Sequence, residues 1–159
     1  MESAQLIKAF IATVQASLHG LRLIEPVLRR EQGALTAKDP AILERVVGEK
    51  LELLKQLEHS VQARDRLQQA AGHAAGIDGG NTLVKSLAQP QLSADWQALT
   101  TLARSVADLN DRNGQLANQG QRATRTALGI LTGRPDRQDT YIGLRRRQAD
   151  ATSYTLGRV

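Results

Sequence analysis

The sequence contains no cysteine, and aromatic residues make up only 3% of its 159 positions. Without cysteine the chain forms neither a disulfide nor a thiolate metal site, which suits a reducing compartment. No stretch approaches the roughly eighteen apolar residues that a membrane span needs, and the N-terminal residues lack the basic and apolar regions of a signal peptide. We therefore expect a cytoplasmic protein that is not embedded in a membrane. Its core must consist mainly of aliphatic side chains.

Residue patterns typical of catalysis are also missing. The three histidines, His19, His59 and His73, stand apart from one another and from carboxylates at metal-ligand spacing. The glycine-rich stretch 72–80 lacks the Gly-Lys-Ser/Thr ending of a phosphate-binding loop, and no strand pattern precedes it. We interpret it as a flexible connector between helices. The sequence predicts no enzymatic activity, no catalytic residues, no cofactor and no metal site.

Apolar residues recur at helical spacing along most of the chain, and no segment has the alternation of a strand. The pattern predicts long helices at about residues 2–33, 40–71 and 93–132. It also predicts a short helix at 82–88 that is capped by Asn81, and Ser93 as the cap of the third long helix. Pro26 interrupts the first stripe, but the stripe keeps its phase, so we expect a kink and not a chain reversal. The predicted fold is all-α, an elongated antiparallel bundle or coiled coil of three long helices, within a domain of residues 1–132.

The second helix has a clear start signal and two charged residues in its apolar stripe. Asp39 is a suitable N-cap, and Pro40 fits the first helical position. Lys50 and Arg64 lie in phase with the leucines and valines of the stripe. Their aliphatic stems can pack against the core while the charged ends reach solvent or a carboxylate.

The stripe of the third helix changes from large to small side chains along its length. Leucine, valine and tryptophan dominate as far as Leu109, whereas glycine and alanine dominate after Gly114. This second part is either a frayed, alanine-rich helix end or a shallow groove for an amphipathic helix of a partner. The residues predicted to line the groove are Asn113, Leu116, Gly120, Ala123, Ala127, Ile130 and Leu131.

Residues 133–159 differ from the preceding part of the chain in composition, and we predict a flexible basic tail. They contain six arginines and three aspartates, so they carry a net charge of +3 of the chain's +5. The run Arg145–Arg147 is typical of either a solvated tail or a phosphate contact. It lacks interleaved aromatic residues, and Asp150 lies nearby. We therefore do not expect nucleic acid as a partner, although a basic nucleic-acid binder and an unrelated helical adaptor remain alternatives.

Two blocks of the chain carry distinctive combinations of residues. The more specific block combines Asp108-Leu109-Asn110, Asn113-Gly114, Ala127-Leu128, Leu131, Tyr141 and Gly143. The less specific block has Glu49-Lys50 followed by Leu53-Leu54. With these residues the chain resembles the FlgN family of flagellar export chaperones, and Trp96 lies where that family often has a tryptophan. The sequence departs from the family pattern at Ile142, which separates Tyr141 from Gly143, and at Arg145–Arg147.

This resemblance implies a cytoplasmic type III export chaperone in flagellum assembly. Its clients would be the C-terminal segments of the hook-filament junction proteins FlgK and FlgL, which the chaperone protects from premature aggregation and delivers to the cytoplasmic platform of the export gate. The resemblance also implies that Tyr141, with Ile142 beside it, contacts that platform. From the residues alone, Tyr141 either folds back onto the bundle or serves as a binding anchor.

Overall fold

The computed structural model describes residues 3–132, with side chains described for residues 3–122. Four helices form this part of the chain: α1 (Ser3–Ala37), α2 (Pro40–Ala70), α3 (Gly76–Leu87) and α4 (Pro90–Thr132). The described residues contain no strand. The predicted all-α class is therefore confirmed.

Helix α1 lies at the centre of the bundle and packs against both α2 and α4. One stripe of its side chains is almost fully inaccessible to solvent, namely Phe10, Val14, Leu18, Leu21, Ile24 and Leu28. Their spacing of three or four residues places them on one face of the helix. The helix continues through Pro26, whose ring is exposed, so the predicted absence of a chain reversal is confirmed.

The turn between α1 and α2 comes four residues later than Gly33, where we had predicted the end of the first helix. Helix α1 continues to Ala37 because Ala34 still packs into the core, which offsets the modest cost of a glycine inside a helix. The chain then turns at Lys38, whose φ is 53°. As predicted, the carboxylate of Asp39 caps α2 by accepting a hydrogen bond from the Ile42 amide at 3.1 Å, and Pro40 opens the helix.

The glycine-rich stretch is more ordered than the sequence suggested, because α3 already begins at Gly76. Two side chains of α2 hold this corner. Asp65 accepts a hydrogen bond from the Gly76 amide at 3.1 Å, and Gln68 donates to the carbonyl oxygens of Ala74 and Gly76. The prediction of a connector through residue 80 was wrong because it weighed glycine content without these tertiary contacts. Asn81 lies within α3 and does not cap it.

Helix α4 runs parallel to α1 and antiparallel to α2. Near its start, the Trp96 ring lies 6.3 Å from the Phe10 ring, and farther along Asn113 contacts Leu28. The helix begins at Pro90, three residues before the predicted start at Ser93. The core thus forms where α1, α2 and the first half of α4 meet, with α3 closing one end beside Trp96.

Gly80 allows α3 to approach the Trp96 ring, since a Cβ atom at this position would overlap the indole. Gly80→Ala should therefore lower the free energy of unfolding by about 1–3 kcal/mol through overpacking. Gly48→Ala is the matched control, because no atom lies within 4 Å of its ideal Cβ position. The control should raise stability by up to about 1 kcal/mol. Urea denaturation followed by circular dichroism measures both changes, and equal effects would show that the approach of α3 does not depend on Gly80.

Candidate functional site

Helix α4 has two parts with different surroundings. Between its start and Val106 the helix supplies a regular series of core side chains: Leu92, Trp96, Leu99, Ala103 and Val106. After Val106, Asn113 is the one buried side chain among the described residues as far as 122. The change in the sequence from large to small side chains therefore coincides with the end of the apolar core.

The residues predicted to bind a partner fall on this second part of α4, in different environments. Asn113 is 1% exposed, Leu116 is half-buried, and Gly120 is exposed. Four more lie on α4 beyond the described side chains, namely Ala123, Ala127, Ile130 and Leu131. Tyr141 and Ile142 lie outside the described residues.

Asn113 contacts α1 and not the solvent. Its amide nitrogen donates hydrogen bonds to the Leu28 carbonyl oxygen at 2.8 Å and to Glu31 Oε2 at 2.9 Å. The side chain is thus occupied by packing between α1 and α4 in this structure. From Leu116, one helical turn later, the described side chains of α4 are half-buried or exposed.

Glu31 and Asn113 belong to a buried polar cluster that joins three helices. Lys50 on α2 donates to Glu31 Oε1 at 2.7 Å, and its nitrogen lies 3.5 Å from Asn110 Oδ1. Glu31 is 5% exposed and Lys50 is 3% exposed. The sequence predicted that Lys50 lies in the apolar stripe of α2 and that its charged end reaches either solvent or a carboxylate. It did not identify Glu31 as that carboxylate. The available signal was the spacing, because Glu31 follows Leu28 by three residues, in phase with the apolar stripe.

A second buried cation lies at the opposite end of α2. Arg64 is fully inaccessible to solvent; its guanidinium hydrogen-bonds Asp65 at 2.9 Å and stacks 5.4 Å from the Trp96 ring centre. Trp96 in turn donates its indole N–H to Asn81 Oδ1 at 2.8 Å. This cluster fixes α2 and α3 against the start of α4, at the opposite end of the bundle from Glu31 and Lys50.

The end of α4 extends beyond the turn between α1 and α2. Asn113 lies level with Leu28 and Glu31, and α1 ends only six residues after Glu31, at Ala37. Because the two helices run parallel with about 1.5 Å of rise per residue, α4 passes the end of α1 at about residue 120.

An open groove of about 430 Å³ lies beside the turn between α1 and α2. Ala34, Val46 and the exposed side chain of Ile42 contribute its apolar surface. Arg30 and Glu49 form an ion pair on its rim. The hydrogen bond from Arg30 lowers the pKa of Glu49, but both groups are exposed, so solvent screens the pair and it contributes little to stability.

Neither a metal nor a membrane site emerges from the described part of the chain. Within residues 3–132 no three histidine, aspartate or glutamate side chains cluster in a way that would hold a metal ion. None of the four helices combines the length and apolar character required to cross a bilayer.

The fold defines an all-α helical-bundle protein, in which the last described helix, α4, continues beyond the apolar core. The chain belongs to the FlgN protein family, whose model matches residues 1–143. It is also similar to a crystal structure from Pseudomonas aeruginosa described as a flagella synthesis protein, FlgN, with 24% sequence identity and a TM-score of 0.55. That similarity covers 78% of this chain and 94% of the other, and it shows a shared fold. No curated protein sequence matches the chain.

Membership of the FlgN family assigns the protein a role in flagellum assembly. The match extends past Thr132 to residue 143 and so includes Tyr141. The family recognised from the sequence is thereby confirmed.

Proposed function

We propose that the protein is a cytoplasmic type III export chaperone that binds the C-terminal segments of the hook-filament junction proteins FlgK and FlgL. The family match over residues 1–143 is the main support. The chaperone covers the apolar face of each segment before export, which prevents premature aggregation. It then delivers the client to the cytoplasmic platform of the export gate.

We place client capture on the second part of α4, from Leu116 to Leu131. The apolar core ends before this region, and exposure rises between Asn113 and Gly120. Small side chains at Gly120, Ala123 and Ala127 recur at spacings of three and four residues, which puts them on one helix face. Such a face lets a client helix approach closely and bury its apolar side in the groove.

A bulky side chain on the small-residue face of α4 should disrupt client capture. Ala127→Trp is expected to weaken binding of FlgK and FlgL C-terminal segments at least about tenfold, since a bulky side chain prevents close approach of helices. Ser105→Trp is the matched control, because it adds the same side chain to an exposed position in the first part of α4, which packs into the core. Isothermal titration calorimetry with both segments measures the affinities, and circular dichroism checks that the bundle is intact. Normal binding by Ala127→Trp would place the client site elsewhere.

Tyr141 is proposed as the contact with the export-gate platform, separate from client capture. Burial of a tyrosine in a partner pocket contributes on the order of 2 kcal/mol, which is about thirtyfold in affinity. Tyr141→Ala should therefore bind client segments normally but lose tight association with the platform. Tyr154→Ala changes the other tyrosine of the same segment and should have no effect. Surface plasmon resonance against the immobilised platform domain separates the variants, and equal affinities would contradict this assignment.

A further inference from the structure

We infer that the buried cluster of Glu31, Lys50 and Asn113 sets the axial position of α4 relative to α1. It thereby determines which residues of α4 extend beyond the bundle. Its consequence for client binding rests on the proposed function, whereas its effect on helix position does not. These three residues would be positioning residues, with no direct contact to a client.

The hydrogen-bonding geometry makes the cluster specific to one alignment. Glu31 uses one carboxylate oxygen for Lys50 and the other for Asn113. Asn113 uses its amide nitrogen twice, for Glu31 and for the backbone of Leu28. Because all three residues are at least 95% buried, water cannot replace a partner that moves away. Both hydrogen bonds that Asn113 makes to α1 are therefore lost if α4 slides along α1.

The spacing of the apolar residues of α4 does not by itself select one alignment. A slide of seven residues keeps a helical stripe in phase and would bring either Val106 or Gly120 to the level of Asn113. Neither residue has a side chain that can hydrogen-bond Glu31. In the second part of α4, the polar cluster is thus the contact that distinguishes the observed alignment from one shifted by seven residues, as a single buried asparagine does in coiled coils. At the start of the helix, Trp96 adds to this selection through its contacts with Gly80 and Asn81.

The cluster also contains a feature that core stability does not explain. Asn113 Oδ1 is buried without a hydrogen-bond partner, and buried ion pairs are often no more stable than apolar replacements. A cluster that contributes little net stability but tolerates only one geometry is well suited to selecting alignment. A slide of seven residues would move the end of α4 by about 10 Å, enough to bury or expose two turns of the proposed client surface.

The absence of cysteine allows a direct measurement of this alignment. Arg22→Cys and Gln119→Cys place spin labels on exposed positions of α1 and α4 that are about 20 Å apart along the helix axis, and pulsed electron paramagnetic resonance gives the distance between them. The otherwise unchanged chain should show one narrow distance. The triple variant Glu31→Leu, Lys50→Met, Asn113→Leu should show a second population shifted by about 5–10 Å, with client affinity reduced at least about tenfold.

Two further variants keep the test decisive. Val106→Ala loosens the same helix without touching the cluster and should retain the single distance, which separates loss of stability from loss of alignment. If the triple variant fails to fold, Asn113→Leu alone takes its place. This single variant should broaden the distance distribution in the same way. A single unshifted distance in the substituted cluster would overturn the inference, as would an equally broad distribution in the starting chain. A shifted distance with normal client affinity would support the alignment role and contradict the proposed client surface.

Discussion

Glu31→Leu is expected to lower the free energy of unfolding by about 3–5 kcal/mol, because it leaves the ammonium group of Lys50 buried without its carboxylate partner. The pair is 2.7 Å apart and lies almost entirely away from solvent. Asn113 would lose one of its two hydrogen bonds at the same time. A loss of this size is a large part of the 5–15 kcal/mol that stabilises a typical domain, to order of magnitude.

The triple variant Glu31→Leu, Lys50→Met, Asn113→Leu is the control for this prediction. It removes every member of the cluster, so no buried charge is left unpaired, and its stability should lie within about 2 kcal/mol of the unchanged protein. Urea denaturation followed by Trp96 fluorescence reports both variants. If Glu31→Leu proves no less stable than the triple variant, Lys50 must find solvent or another partner, and the pair is not essential to the core.

Trp96→Ala should destabilise the bundle by about 3–5 kcal/mol, the range for removing a large aromatic side chain from a core. The indole fills the space between α1, α2 and α3, where it meets Phe10, Arg64 and Gly80. Its loss leaves a cavity and also removes the aromatic face over the buried guanidinium of Arg64. Cation–π stacking in a desolvated site adds up to about 2 kcal/mol to such a contact.

Trp96→Phe distinguishes these contributions, because it keeps an aromatic ring but removes the hydrogen bond to Asn81. We expect it to retain more than half of the stability that Trp96→Ala loses. Thermal unfolding monitored by circular dichroism is the suitable measurement, since both variants lack the single tryptophan of the chain. Equal losses would show that the hydrogen bond, and not the packing of the ring, anchors α4.

The long helices were predictable because their signal is local. Residues such as Leu18, Leu21 and Leu28 recur with the period of a helix, and burying that face is what the period requires. The cap at Asp39 and Pro40 was predictable for the same reason, since it depends on only a few neighbouring residues. The end of α1 at Ala37 and the start of α3 at Gly76 were not predictable, because contacts with residues distant in sequence override the tendency of glycine to end or avoid a helix.

The candidate site likewise has features that were predictable from the sequence and features that were not. The change from large to small side chains after Gly114 is visible in the sequence, and it marks where α4 leaves the core. The sequence also placed Asn113 on the seam of α4 but assigned it to the partner surface. Only the fold shows that it hydrogen-bonds α1, because its partners lie more than 80 residues away along the chain.

By itself, the sequence determined the all-α class, the helical periodicity, the family and the absence of any cysteine chemistry. All of these follow from residue types and spacings within one segment. Tertiary structure alone decided that Glu31, Lys50 and Asn113 meet, that Gly80 accommodates the Trp96 ring, and that α4 outruns α1. The physical reason is that burial and hydrogen bonding between helices depend on their relative axial positions, which a repeating apolar stripe leaves open.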